Sequence, residues 1–77
     1  MLCIVSSWSI ERAYGTLRCV EPGKPCVEAF AFIRDVKDKI NLQKGDLVTA
    51  DFIPSTMRPG RTDARNIVLR KRDEVAQ

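Results

Sequence analysis

The residues of this chain best suited to chemistry are two phenylalanines and a set of arginines. Phe30 and Phe32 stand two apart in Glu28-Ala29-Phe30-Ala31-Phe32-Ile33, so on an extended strand both rings project from one face. Exposed, such a pair is a stacking surface for unpaired bases; buried, it is half of a small barrel core. The alternation leaves both readings open. From Ser55 to Arg72 the basic residues Arg58, Arg61, Arg65, Arg70, Lys71 and Arg72 face only one acid, Asp63, whereas the whole chain carries a net charge of only +3. Charge gathered at one end points to an anionic partner such as nucleic acid, although a solvated strand and tail would read the same way.

Arg58 and Arg61 flank Pro59-Gly60, at the tip of a long loop, and are the foremost candidates to hold phosphate. Arg18 and Arg65 are expected on neighbouring strands, where a guanidinium can stack on a base or grip phosphate. For these two, plain surface arginine is the competing reading. Glu28, beside the phenylalanine pair, repels phosphate and argues against tight binding.

Other chemistries find little support. The chain has no histidine, no Gly-rich phosphate cradle and no nucleophile with a base at a recognisable spacing, so no enzyme activity is expected. Nothing in the pattern buries Asp35 with Asp38, or Glu21 with Glu28. Cys3, Cys19 and Cys26 show no CxxC spacing, and an odd count suits no closed disulfide framework. Free thiols in a reducing compartment are expected, with no metal and no cofactor. Met1 to Ile10 is apolar but lacks a basic flank and is too short for a membrane span, which leaves a leading strand or a piece of linker as its two readings. Its Leu2, Ile4 and Trp8 must pack on something, with Trp8 as an anchor or a contact to an adjacent domain.

The elements that would position these side chains are strands. Helical periodicity is poor, and strand-like runs bounded by turn residues fit Ala13 to Val20, Cys26 to Arg34, a weak Val36 to Leu42, Leu47 to Ile53, and Thr62 to Arg70. In the fourth run Val48, Ala50 and Phe52 share one face and Thr49 and Asp51 the other. Glu21-Pro22-Gly23-Lys24-Pro25 and Lys44-Gly45-Asp46 are turns. Five short strands predict an all-β, five-stranded OB-type barrel, since closure removes the exposed edges of so small a sheet. The expected organisation is a leading segment or linker over 1–12, the barrel over 13–71, and a tail over 72–77 that frays from Asp73 onward.

Gly15-Thr16-Leu17-Arg18-Cys19-Val20, Ala29-Phe30-Ala31-Phe32-Ile33, Leu42-Gln43-Lys44-Gly45-Asp46-Leu47-Val48 and Ala64-Arg65-Asn66-Ile67 together resemble a cold-shock domain. That family reads G-x-V-x-W-F, K-G-F-G-F-I, V-F-V-H-F, L-x-x-G-x-x-V-x-F and A-x-N-V. On this match Cys19 replaces the first-strand tryptophan, Glu28 and Ala29 replace the lysine and glycine of the second motif, and V-F-V-H-F has no counterpart at Val36 to Ile40. The pattern is similar to the degenerate members of the family, of the Unr type, which alternate with regular ones.

The resemblance implies an OB-type barrel from a cytoplasmic RNA-binding protein that regulates translation or stability of messenger RNA. It implies weak contact with single-stranded RNA through Phe30, Phe32, Arg18, Arg58, Arg61 and Arg65, with avidity from adjacent cold-shock domains. The isolated domain is expected to be monomeric and away from membranes. The competing expectation is a spacer or protein-interaction module that positions neighbouring domains and touches no RNA.

Overall fold

The computed structural model describes residues 1–72. Five strands, β1 (Leu2–Ser9), β2 (Tyr14–Cys19), β3 (Glu28–Phe32), β4 (Leu47–Pro54) and β5 (Thr62–Lys71), close in the order β1-β2-β3-β5-β4. All neighbours are antiparallel except β3 and β5, which meet in parallel at Phe30 and Asp63. The chain is thus an all-β, closed five-stranded barrel of OB type, as expected. The expected frayed end, 73–77, lies outside the described residues.

One expected strand is corrected, and at the N-terminal segment the strand alternative is the one that forms. The expected leading segment or linker over 1–12 contains β1, which pairs with β2 along one edge and β4 along the other. Its apolar residues alternate inward, with Cys3 and Val5 fully buried. Without it the edges of β2 and β4 would lie open. The expectation that this segment packs on something is met: Trp8 leans on the core and pairs with Gly15 across the β1–β2 hairpin. A bulge between Val5 and Ser7 turns both serines outward, where each hydroxyl meets Thr16 Oγ1 at 2.8 Å.

The weak strand expected at Val36 to Leu42 does not form. Strand alternation would place Asp38 on the face shared by Val36 and Ile40. Instead the chain makes two 3-10 turns, Ile33–Asp35 and Lys37–Lys39, with Asp38 and Lys39 in the left-handed region. The charges stay exposed while Val36 and Leu42 are buried, and Val36 bridges Ile67. The count of five strands is therefore right, but β1 supplies the one that this segment does not.

The interior is filled by Val5, Leu17, Leu42, Val48 and Ile67, with Ala29, Ala31, Ala50 and Ala64 lining the closer approaches. The Lys44-Gly45-Asp46 turn is tied to β1 by Gly45 N–H donating to Val5 O at 2.8 Å and Val5 N–H donating to Asp46 O at 3.0 Å. Asp46, wholly buried, accepts the Gln43 N–H at 2.9 Å and pairs with Arg72 at 3.2 Å. That pair fastens the end of β5 at residue 72, the first position of the expected tail.

Candidate nucleic-acid interface

Alternation on β2 and β3 decides what the barrel presents. Gly15, Leu17 and Cys19 point inward, leaving Tyr14, Thr16 and Arg18 outside; Ala29 and Ala31 point inward, leaving Glu28, Phe30 and Phe32 outside. The phenylalanine pair is thus half-buried on the outer face rather than in the core. The register sets Tyr14 beside Phe32, Thr16 beside Phe30 and Arg18 beside Glu28. Tyr14 and Phe32 meet edge to face, with ring centroids 6.0 Å apart, an arrangement that the quadrupoles of both rings favour.

Three guanidiniums gather on these rings. Arg34, in the first 3-10 turn after β3, lies 5.1 Å from the Phe32 centroid. Arg58 and Arg61 lie 5.5 and 5.6 Å from the Phe30 centroid, within the range of cation–π attraction. The β4–β5 loop is shaped to bring them there. Ser55 Oγ accepts the Met57 and Arg58 N–H groups at 3.3 and 3.1 Å. The Ser55 and Arg61 N–H groups then close the loop on Arg61 O and Arg58 O, both at 3.0 Å. Gly60, at φ +81°, makes the left-handed turn that closure requires. The result is a cleft bordered by Phe30, Phe32, Arg34, Arg58, Asp63 and Arg65.

The six residues singled out from the sequence separate into three groups. Phe30, Phe32, Arg58 and Arg61 converge. Arg65 borders the same cleft, but its Nη1 donates to both carboxylate oxygens of Asp35 at 3.1 and 3.2 Å, so its charge is largely answered within the protein. Asp35 also meets Arg34 Nε at 3.7 Å. Arg18 is exposed on the same outer face, opposite Glu28; the expectation that it neighbours the strand of Arg65 is corrected, because β3 lies between β2 and β5. Glu28 accepts the Ser6 hydroxyl at 3.2 Å.

Sequence reasoning missed Tyr14, Arg34 and Asp63. Tyr14 was legible in principle, since it shares a strand face with Thr16 and Arg18. Arg34 reaches Phe32 only because a 3-10 turn follows β3. Asp63 reaches the cleft through the parallel β3–β5 contact, which joins segments far apart in the chain.

The site can hold a planar, unpaired ring against Phe30, Phe32 or Tyr14 and an anion near Arg34, Arg58 and Arg61. Among the described residues no group of three or more metal-type ligands occurs, and no helix is long and apolar enough to cross a membrane. Neither protein-family models nor curated proteins match the chain.

Proposed function

We propose that this protein binds single-stranded RNA, stacking bases on Tyr14, Phe30 and Phe32 and holding phosphates with Arg34, Arg58 and Arg61. The observation that carries this is the convergence of three aromatic rings and three arginines on one outer barrel face. Each stacked base contributes roughly 1–3 kcal/mol. Three rings and a few phosphate contacts correspond to micromolar rather than nanomolar affinity for the isolated domain. Glu28 and Asp63, on the same face, keep the field from being uniformly positive.

The resemblance to cold-shock domains supports the same reading once it is laid on the observed strands, where it moves by one strand. G-x-V-x-W-F then falls on Cys3 to Trp8, K-G-F-G-F-I on Arg12 to Leu17 and V-F-V-H-F on Ala29 to Ile33. The last two motifs stay on Leu42 to Ala50 and Ala64 to Ile67. Tyr14, Phe30 and Phe32 occupy ring positions of the motifs, while Ser7 replaces the tryptophan and Thr16 a phenylalanine. Ala13, at φ +58°, takes the place of the family's glycine, a backbone setting where glycine is the ordinary choice. On this register the platform is reduced rather than lost, which supports the reading of a role beside stronger RNA-binding neighbours in a cytoplasmic regulator of messenger RNA.

The test is a titration of the domain with short single-stranded RNA and, separately, DNA of the same sequence at low salt, followed by backbone amide shifts. Shifts clustered at Tyr14, Phe30, Phe32 and the 55–61 loop, fading as salt rises, are expected. An absence of shifts at millimolar RNA would leave the spacer reading standing, and preference for DNA would change the ligand class.

A further inference from the structure

Outside the aromatic face, the barrel holds a second group of reactive side chains that the nucleic-acid reading does not use. Cys3 on β1 and Cys19 on β2 are directly opposed partners, both free thiols and both buried, at 0% and 1% exposure. Their pairing is of the non-hydrogen-bonded kind. The Cys19 N–H turns away from β1 to donate to Val27 O at 3.0 Å, while the next pair along is joined by Val20 N–H donating to Leu2 O at 3.0 Å. In such a pair the Cα atoms stand about 4.5 Å apart with the side chains on one face of the sheet. A disulfide accepts Cα separations of about 4.4–6.8 Å, so the two sulfurs can bond without moving either strand.

We propose that Cys3 and Cys19 form a reversible cross-strand disulfide that staples β1 into the barrel under oxidising conditions. The oxidant is a small-molecule disulfide of the glutathione class. One protein thiolate attacks it and expels the first reduced thiol. The second protein thiolate then attacks the mixed disulfide and expels the other, so the two protein S–H protons end on the two expelled thiols and one disulfide is exchanged for another. The same two exchanges run backwards when reduced thiol is in excess, which makes the bond reversible.

Burial gates the reaction. The Cys3 thiol is pushed up to about 11, first by burial and next by the neighbouring Cys19, so the thiolate is scarce while the barrel is closed. Exchange then proceeds through opening of β1 at its Cys3 end, where Leu2, Cys3 and Ile4 pair with β4 and Met1 exchanges two backbone hydrogen bonds with Ala50 at 3.0 Å. At the other end the hairpin is already pinned by Trp8 against Gly15, so oxidation would fasten both ends. This inference does not rest on the nucleic-acid reading.

The experiment uses the Cys26→Ser chain, which removes the one exposed thiol and leaves the buried pair. The folded protein is equilibrated in glutathione buffers of graded ratio, quenched with acid, and its intact mass and non-reducing digest are read. Loss of two hydrogens with a peptide linking Cys3 to Cys19, increasing with the oxidised fraction and reversed in reducing buffer, is expected. Full alkylation of both thiols after denaturation, or glutathione retained on one cysteine without a link, would overturn the proposal. A link that persists in the most reducing buffer would overturn its reversibility.

Discussion

The Arg58 guanidinium lies 5.5 Å from the centroid of the Phe30 ring, which docks the β4–β5 loop on the central aromatic of the outer face. A base stacking on Phe30 must either displace this guanidinium or slide against it. Both routes leave the arginine close to the adjoining phosphate. Ring and loop therefore belong to one site and respond together to substitution.

Phe30→Ala should weaken RNA binding by about 5- to 150-fold, the equivalent of one stacked base at roughly 1–3 kcal/mol. Its cost to folding should stay below the roughly 3–5 kcal/mol of a core phenylalanine, because the ring is only half-buried, on the outer face. Leu17→Ala, in the core, is the reference and should cost about 2–5 kcal/mol. Chemical denaturation of both variants with a parallel RNA titration separates the two effects. A Phe30→Ala protein as unstable as Leu17→Ala would contradict the placement of the ring.

Arg58→Ala and Arg61→Ala should each weaken binding across RNA sequences and lower the salt slope of log K by about 0.7 for every phosphate no longer neutralised. Arg65→Ala should behave differently, since that guanidinium is held by Asp35. Its main effect is expected on stability, with a smaller change in salt slope. Equal slopes for all three variants would place Arg65 among the phosphate-binding arginines after all.

Gly15→Ala should disrupt the β1–β2 hairpin. A Cβ at this position would collide with the Ser7 carbonyl oxygen and stand 2.8 Å from the Trp8 Cα. Both atoms are backbone and cannot rotate away. The expected destabilisation is at or above the roughly 1–3 kcal/mol that overpacking costs. Trp8 fluorescence should report it. A melting temperature equal to that of the parent would show that the strands can separate at no cost.

The Cys3 thiol, raised from 9.0 to about 11 by burial and by Cys19, makes stability fall in alkali. The folded state keeps a proton that the unfolded chain releases, so the contribution is complete below pH 9.0 and is lost as pH rises through about 11. Cys3→Ala should flatten the stability profile in that window relative to the parent. Parallel profiles for the two proteins would remove Cys3 as the cause.

Much of the barrel was legible locally. The alternation at Val48, Ala50 and Phe52 put the first two in the core and left Phe52 packed against it, because a strand's side-chain period is set by its own backbone. The loop ending β2 followed from Pro22 and Pro25, and Gly23 there has φ +79°. The role of Met1 to Ile10 was less readable. Leu2 and Ile4 fit a linker or a strand equally well, and only the free edges of β2 and β4 make the strand necessary. Arg65 reads as a ligand contact in the sequence because its partner, Asp35, is distant along the chain and reaches it through a 3-10 turn.

The sequence by itself determined that the chain is a small β protein, that Phe30 and Phe32 share one strand face, and that positive charge gathers toward β5. Only the tertiary structure decided which way that face points. Period two says that residues share a side, but the side turned inward depends on the volume left by the other strands. In this barrel Val5, Leu17, Leu42, Val48 and Ile67 fill the interior, so alanines fit at positions 29 and 31 and the phenylalanines are left outside. The same long-range closure brings the 55–61 loop over Phe30 and sets Cys3 against Cys19, because these contacts exist only once the barrel has closed.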